Sequence, residues 1–293
     1  ASAVQAAAIR PPVQLSATVM VLAIAVFIAR FSWVLPGGGV ATPLTSEAER
    51  AFYDLRAYYA ADLVEQDPRL VLVVYTDQTL INARKRSPLD RGLLARTLAN
   101  LDAMGAKAIG IDILFDQPQD EDEQLIATLR AMQTPVAVAY ATVATNEDDV
   151  VYEQQQYLDT FQARLKGTGA VPASIRLDNT FGATRVWPRI VPGLPPLLGR
   201  AMLVEADESA PGFAGYEGAI DYRRPKYVDA PLFASLQIDL FADPDPEVLP
   251  FLAEQIRGKY VLIGGDIVDY DRVETTFTSI EGETPAGIAV HAD

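Results

Sequence analysis

Residues 107–115 read Lys-Ala-Ile-Gly-Ile-Asp-Ile-Leu-Phe. This apolar run reads as a buried strand. Immediately upstream, Leu93, Leu94, Leu98 and Leu101 recur at helical spacing, and Gly105 supplies a natural helix stop. Ser87-Pro88-Leu89-Asp90 reads as the start of that helix, with Ser87 as N-cap and Pro88 at the first helical position. Further back, Arg69–Thr76 (RLVLVVYT) is a continuous valine-rich run of the kind that suits a strand buried on both faces. Strand, helix and strand in this rhythm predict a right-handed βαβ unit and a parallel sheet.

The same rhythm continues outward. Glu121–Met132 is expected to be a helix, with acids at its N-terminus where the helix dipole favours them. Pro135–Thr142 (PVAVAYAT) is a third strand, and Tyr152–Leu165 a helix within a polar stretch. Ser174–Tyr227 is rich in proline and glycine, with strand-like pieces at Arg200–Glu205 and Ala219–Arg223. Pro246–Arg257 reads as a helix ended by Gly258, and Lys259–Gly265 (KYVLIGG) as a further buried strand. Near the start, Ser46-Glu47-Ala48-Glu49 has the form of a capping box. The helix it opens carries Phe52, Leu55, Tyr58 and Tyr59 and is broken by Asp67-Pro68. That aromatic stripe either packs on its own sheet, the default reading, or faces a partner. The expected fold is α/β: a mostly parallel central sheet flanked by helices, with an irregular β-rich insertion, preceded by one transmembrane helix.

The membrane segment is Val13–Leu35 (VQLSATVMVLAIAVFIARFSWVL), which is uncharged from Leu15 to Ala29. It is long enough to span a hydrocarbon core of ~30 Å at ~1.5 Å per residue. Arg30 near its end can snorkel to headgroups, Trp33 is an interfacial anchor type, and Pro36-Gly37-Gly38-Gly39 stops the helix. A cleaved signal peptide would need a small-x-small cleavage site, which FIARFSW does not offer convincingly. A buried core helix would rarely be so uniformly apolar. Arg10 before the span, with Glu47 and Glu49 the first charges after it, places the N-terminus inside by the positive-inside rule. The expected organisation is a cytoplasmic tail (1–12), a single span in the bilayer of a bacterial inner membrane (13–35), a linker (36–44) and a periplasmic domain (45–293).

Composition removes several functions. Acids outnumber bases 39 to 24 and the net charge is −15, which argues against a nucleic-acid partner. The one dense basic run, Arg84-Lys85-Arg86, is read as a solvated loop. With no cysteine and one histidine, thiolate nucleophiles, disulfides and zinc sites built from several His or Cys are excluded within one chain. That histidine, His291, is expected to end a strand near the membrane. No Gly-Lys-Ser/Thr sequence and no Gly-x-Ser-x-Gly elbow occurs.

Several segments, in order, resemble the second CHASE family, the cyclase- and histidine-kinase-associated sensory extracellular domains of bacterial receptors. They are Tyr53-Asp54-Leu55-Arg56, Arg69–Asp77 with Leu80, Arg91 with Leu94, Gly105–Phe115, Gly258–Gly264, Asp271–Thr278 and Gly287–Ala292. The resemblance covers roughly Tyr53–Ala292. Two family features are reduced here, to Arg86-Ser-Pro-Leu-Asp-Arg91 and Phe181-Gly-Ala-Thr-Arg185. Family members usually continue into further membrane helices and an output domain. The resemblance implies a receptor input domain that is not itself an enzyme, with an unidentified small ligand.

Asp77, Asp112 and Asp266, with Asp271 nearby, stand where strands of a parallel sheet should end, the usual place for ligands in open α/β sheets. Converging carboxylates there could hold Ca²⁺ or Mg²⁺ or grip a cationic ligand. The alternative is that each caps a loop or pairs with Arg91, Arg185 or Arg272. The candidate ligand set is therefore Asp77, Arg91, Asp112, Asp266 and Asp271, with Asp77, Asp112 and Asp266 the metal candidates; no catalytic residue and no obligate cofactor is expected. Three functions remain open: a receptor's sensory domain, working as a homo-oligomer; an accessory subunit docked on a larger membrane complex; and a metal-dependent hydrolase of the outer face.

Overall fold

The computed structural model describes residues 18–26, 44–85, 89–146, 150–268 and 270–293. The chain divides into two units, Ala1–Arg56 and Ala57–Asp293. In the first, residues 18–26 are helical and exposed (α1), and α2 (Leu44–Ala60) begins and continues past the division. Of the expected span at 13–35 only residues 18–26 are described; Arg30, Trp33 and the 1–12 tail lie outside the described residues. Among the described residues no helix is long and apolar enough to cross a membrane. Because α2 starts at Leu44, Ser46 lies inside the helix and not at its cap, and the helix ends at Ala60, ahead of Pro68.

The second unit continues with β1 (Leu63–Val64), β2 (Leu70–Tyr75), α3 (Asp77–Ala83), α4 (Arg91–Met104), β3 (Ala108–Asp112), α5 (Asp122–Ala131), β4 (Val136–Tyr140), α6 (Tyr152–Arg164) and β5 (Ala170–Ser174). An irregular stretch holds β6 (Asn179–Thr180), β7 (Ala183–Thr184), α7 (Leu198–Glu205), α8 (Pro211–Ala214) and β8 (Arg224–Pro225). The chain then returns through β9 (Ala234–Gln237), α9 (Asp239–Ala242), α10 (Leu249–Ile256), β10 (Tyr260–Gly265), α11 (Thr278–Glu281) and α12 (Gly287–Ala292). The main sheet has the order β5-β4-β3-β10-β2-β9, and all of its pairings are parallel. The two strands of the expected βαβ unit are thus not neighbours: β10 sits between them.

Side chains alternate across the pleat. Val71, Val73, Ile109, Ile111, Val261 and Ile263 face a core closed by α4, α5, α9 and α10. The opposite face is thinner. There Ala108, Gly110, Ala137, Ala173 and Gly264 leave room for α7 and α12 to lie close. A Cβ at Gly110 would stand 2.5 Å from Met202 Sδ, and one at Gly264 2.4 Å from Ile288 Cδ1. Glycine is needed at both positions because a helix occupies the space a side chain would take.

Several expectations are corrected. Asp90, not Ser87, caps α4: its Oδ1 accepts from the Leu93 N–H at 2.7 Å, while Ser87 and Pro88 lie outside the described residues. Arg200–Glu205 is the body of α7, not a strand; Leu198, Ala201 and Met202 recur at helical spacing and are buried on the sheet. Ala219–Arg223 forms no strand, only a bridge from Ala219 to Val186. His291 belongs to a helix, α12, not to a strand end. The edge strands β5 and β9 carry weak signals, one broken by Pro172 and the other only four residues long with alternate residues exposed.

Candidate functional site

The period-2 register of Ala108-Ile-Gly-Ile-Asp112 carries Asp112 onto the thin face, at the carboxyl end of β3. Its side chain is 8% exposed, and its Oδ2 lies 3.9 Å from Nε2 of His291, which is 4% exposed. His291 reaches this point from α12. Ile288 seats that helix over Gly264, and His291, one turn on, falls on the same face. Burial pushes the Asp112 carboxyl up to about 7. Burial also pushes the His291 imidazole down to about 4, against the opposing pull of the Asp271 charge and a hydrogen bond to the Ile175 backbone.

Asp271 completes the cluster. It is a non-glycine residue in left-handed backbone, at φ 58°. Its carbonyl accepts the Gly287 N–H at 2.9 Å, and Arg272 bridges to Ala286, so the Asp271 turn is tied to the start of α12. A Cβ at residue 287 would come within 2.8 Å of Asp271 Oδ1, so Gly287 makes room for that carboxylate. Residue 271 is exposed as a whole while its carboxyl turns inward. Burial and the neighbouring Asp112 push it up to about 7, with His291 and Arg272 pulling it down. Tyr75, at the end of β2, is pushed up by burial and by the charges of Asp112 and Asp271, which puts its hydroxyl in their field.

The other expected site residues stand apart from this cluster. Asp77 begins α3, and its Oδ2 accepts the Val268 N–H at 3.1 Å. Asp266 accepts from Arg272 Nη2 at 2.8 Å, and Arg272 Nε donates to the Ile267 carbonyl at 3.0 Å. Both aspartates brace the loops after β2 and β10. Among the described residues no group of three or more His, Cys, Asp or Glu could hold a metal ion, so Asp77, Asp112 and Asp266 are not brought together as a ligand set.

Arg91 is buried on the other face of the sheet. It is 0% exposed, at the start of α4 on the thick face. Its Nη1 pairs with Asp122, its Nη2 donates to the Gln117 carbonyl at 2.5 Å, and its guanidinium lies 5.1 Å from the Phe115 ring and 5.4 Å from that of Phe161. Tyr157 donates its hydroxyl to the same Asp122. This cage fastens the acidic 116–121 loop to the helix layer. Lys85, expected to be solvated, is held by Asp90 and Glu121 at 2.7 and 2.9 Å. The aromatic stripe on α2 splits. Tyr58 packs edge-on against Phe277 with Arg224 over its ring at 3.8 Å, whereas Phe52 and Tyr59 are exposed.

The sequence profile of the CHASE2 domain matches residues 21–293. The chain belongs to the CHASE2 family. Neither a curated protein nor a solved structure matches the chain. CHASE2 domains are sensory domains of signalling receptors. In this CHASE2 domain the only histidine was legible as a residue but not as a site. Its link to Asp112 depends on Gly287-Ile-Ala-Val-His being a helix, and so short a segment carries little periodic signal.

Proposed function

We propose that this CHASE2 chain is a non-catalytic sensory domain, held on the outer face of a bacterial inner membrane by a single span at residues 13–35 with the N-terminus inside. The observation that carries this reading is the buried contact between Asp112 and His291. A sensory domain needs an element whose packing a stimulus can bias through a difference in affinity between two states. Here α12 meets the sheet through ionisable groups at the edge where ligands of open α/β sheets bind. The uncharged stretch Leu15–Ala29 supports the anchor.

Topology reporters test the placement. A phosphatase that matures only in the periplasm, fused after Asp293, is expected to be active, and the chain is expected in the membrane fraction and to leave it when residues 13–35 are deleted. An inactive reporter with a soluble parent chain would overturn the reading. The accessory-subunit reading draws on the exposed Phe52 and Tyr59 of α2, which suit a protein partner. Stable co-elution with an intrinsic membrane complex would favour it.

A further inference from the structure

We propose that Asp112, Asp271 and His291 form a proton-binding site, and that one proton held among them keeps α12 docked on the sheet. This deepens the sensory reading and rests on it for the meaning of the signal, though not for the chemistry. Two carboxyls and an imidazole meet where α12, the Asp271 turn and the end of β3 converge. With one proton shared among them, the cluster carries a single negative charge. Without it, the two carboxylates lie within reach of each other's charge, and the cation that acts on Asp271, Arg272, is shared with Asp266 and the Ile267 carbonyl. Arg223 is turned to Asp67 and Asp293.

Other polar groups stand around the cluster. From β2 comes the Tyr75 hydroxyl, which burial pushes up and so keeps neutral, with Tyr270 of the Asp271 turn beside it. From α7, the layer beside α12, Arg200 donates to the Tyr216 carbonyl and stacks on Phe213. The strand beside β3 in the other direction, β4, offers Tyr140, which donates to Asp159 at 2.7 Å. On α12 itself stands His291, with Asp293 at its end; burial pushes the Asp293 carboxyl up to about 7 as well, with Arg223 pulling it down, so the titration is run in an Asp293→Asn background. Asp271 is joined to α12 through Gly287 and Ala286, so repulsion from Asp112 acts on the helix as a unit. Exposure of residue 271 gives protons a way in. Where sites couple this closely, the proton count belongs to the group and not to one atom.

Trp187 reports the motion. It is buried in one cluster with Val290 of α12 and Phe277. The chain has two tryptophans, Trp33 and Trp187, so a Trp33→Phe background isolates the probe. The full chain in nanodiscs is titrated between about pH 5.5 and 8.5 while its emission and far-UV dichroism are followed. A single emission transition near pH 7 with unchanged dichroism is expected. Asp112→Asn, which mimics the protonated acid, should remove it. Asp271→Asn should move its midpoint to lower pH, and His291→Gln should keep it. A flat emission profile in the parent would overturn the proposal. So would a transition unchanged in both aspartate variants, or one lost with His291→Gln and kept with Asp112→Asn. If Asp112→Asn does not fold, the direction of the Asp271→Asn shift decides. These readings do not depend on membrane topology, so failure of the periplasmic placement appears in the phosphatase reporter and failure of the proton site appears here.

Discussion

The two faces of the sheet are packed by opposite means. On the thick face, branched aliphatic residues of β2, β3 and β10 meet leucines of α4 and α5, and a buried guanidinium there, that of Arg91, has a carboxylate, a carbonyl and aromatic rings around it. On the thin face, alanine and glycine let α7 and α12 come close, and the ionisable groups at its edge, Asp112 and His291, have no such cage. The difference teaches where change is affordable. A charge paired with a carboxylate and a carbonyl locks its surroundings, whereas buried titratable groups with few partners leave the element above them sensitive to protonation.

The largest effect should come from breaking the locked face. Asp122→Ala strands the Arg91 guanidinium and is expected to cost about 3–5 kcal/mol in urea unfolding. Replacing both partners with apolar residues, Arg91→Met with Asp122→Leu, should recover much of that loss, which would show that the penalty lies in the orphaned charge. On the thin face, Gly264→Ala drives a methyl group into Ile288 and should cost about 1–3 kcal/mol. Adding Ile288→Val should return part of it, a coupling that a double-mutant cycle would measure. Asp90→Ala removes the α4 cap and should cost about 1 kcal/mol by the same assay.

The smallest effect is the pH dependence that sharpens the comparison. Asp112 is raised from 3.8 to about 7, so the stability it contributes is complete below the ordinary carboxylate range and is lost as pH rises through 7. His291, lowered from 6.5 to about 4, contributes stability that is present above 6.5 and lost as pH falls through 4. The two oppose each other below 6.5, so the loss from the raised acids dominates above it. Asp112's share of the fall in stability between pH 6 and 8 should be about 1 kcal/mol, with Asp271 and Asp293, also pushed up to about 7 by burial, adding to it, and Asp112→Asn should make that slope shallower in urea titrations at both pH values.

The central strands were legible in the sequence because β2, β3, β4 and β10 are unbroken apolar runs that only a doubly covered sheet can bury. The helix α4 was legible through leucine spacing, and α5 through the acids at its start. What escaped is what depends on long-range pairing. β9 is a strand because β2 offers it an edge, and α7 is a helix whose strand-like reading ignored the small-residue surface beneath it. The site was half visible. Asp112, Asp266 and Asp77 do lie at the strand ends, but which carboxylate turns inward depends on strand parity and on a six-residue helix. Arg91 was singled out for its position, while its role is set by rings from β3's continuation and α6.

The placement of β10 bears on how the chain is made. It is one of the two central strands, hydrogen-bonded to β2 on one side and β3 on the other, yet it is the last of the six to leave the ribosome. Until it arrives, two halves of the sheet face each other across a vacant slot with unpaired amide edges, open to the wrong partner. A nascent chain in this condition is exposed to misassociation, and its folding should be slow, since the closing contacts join residues far apart in sequence.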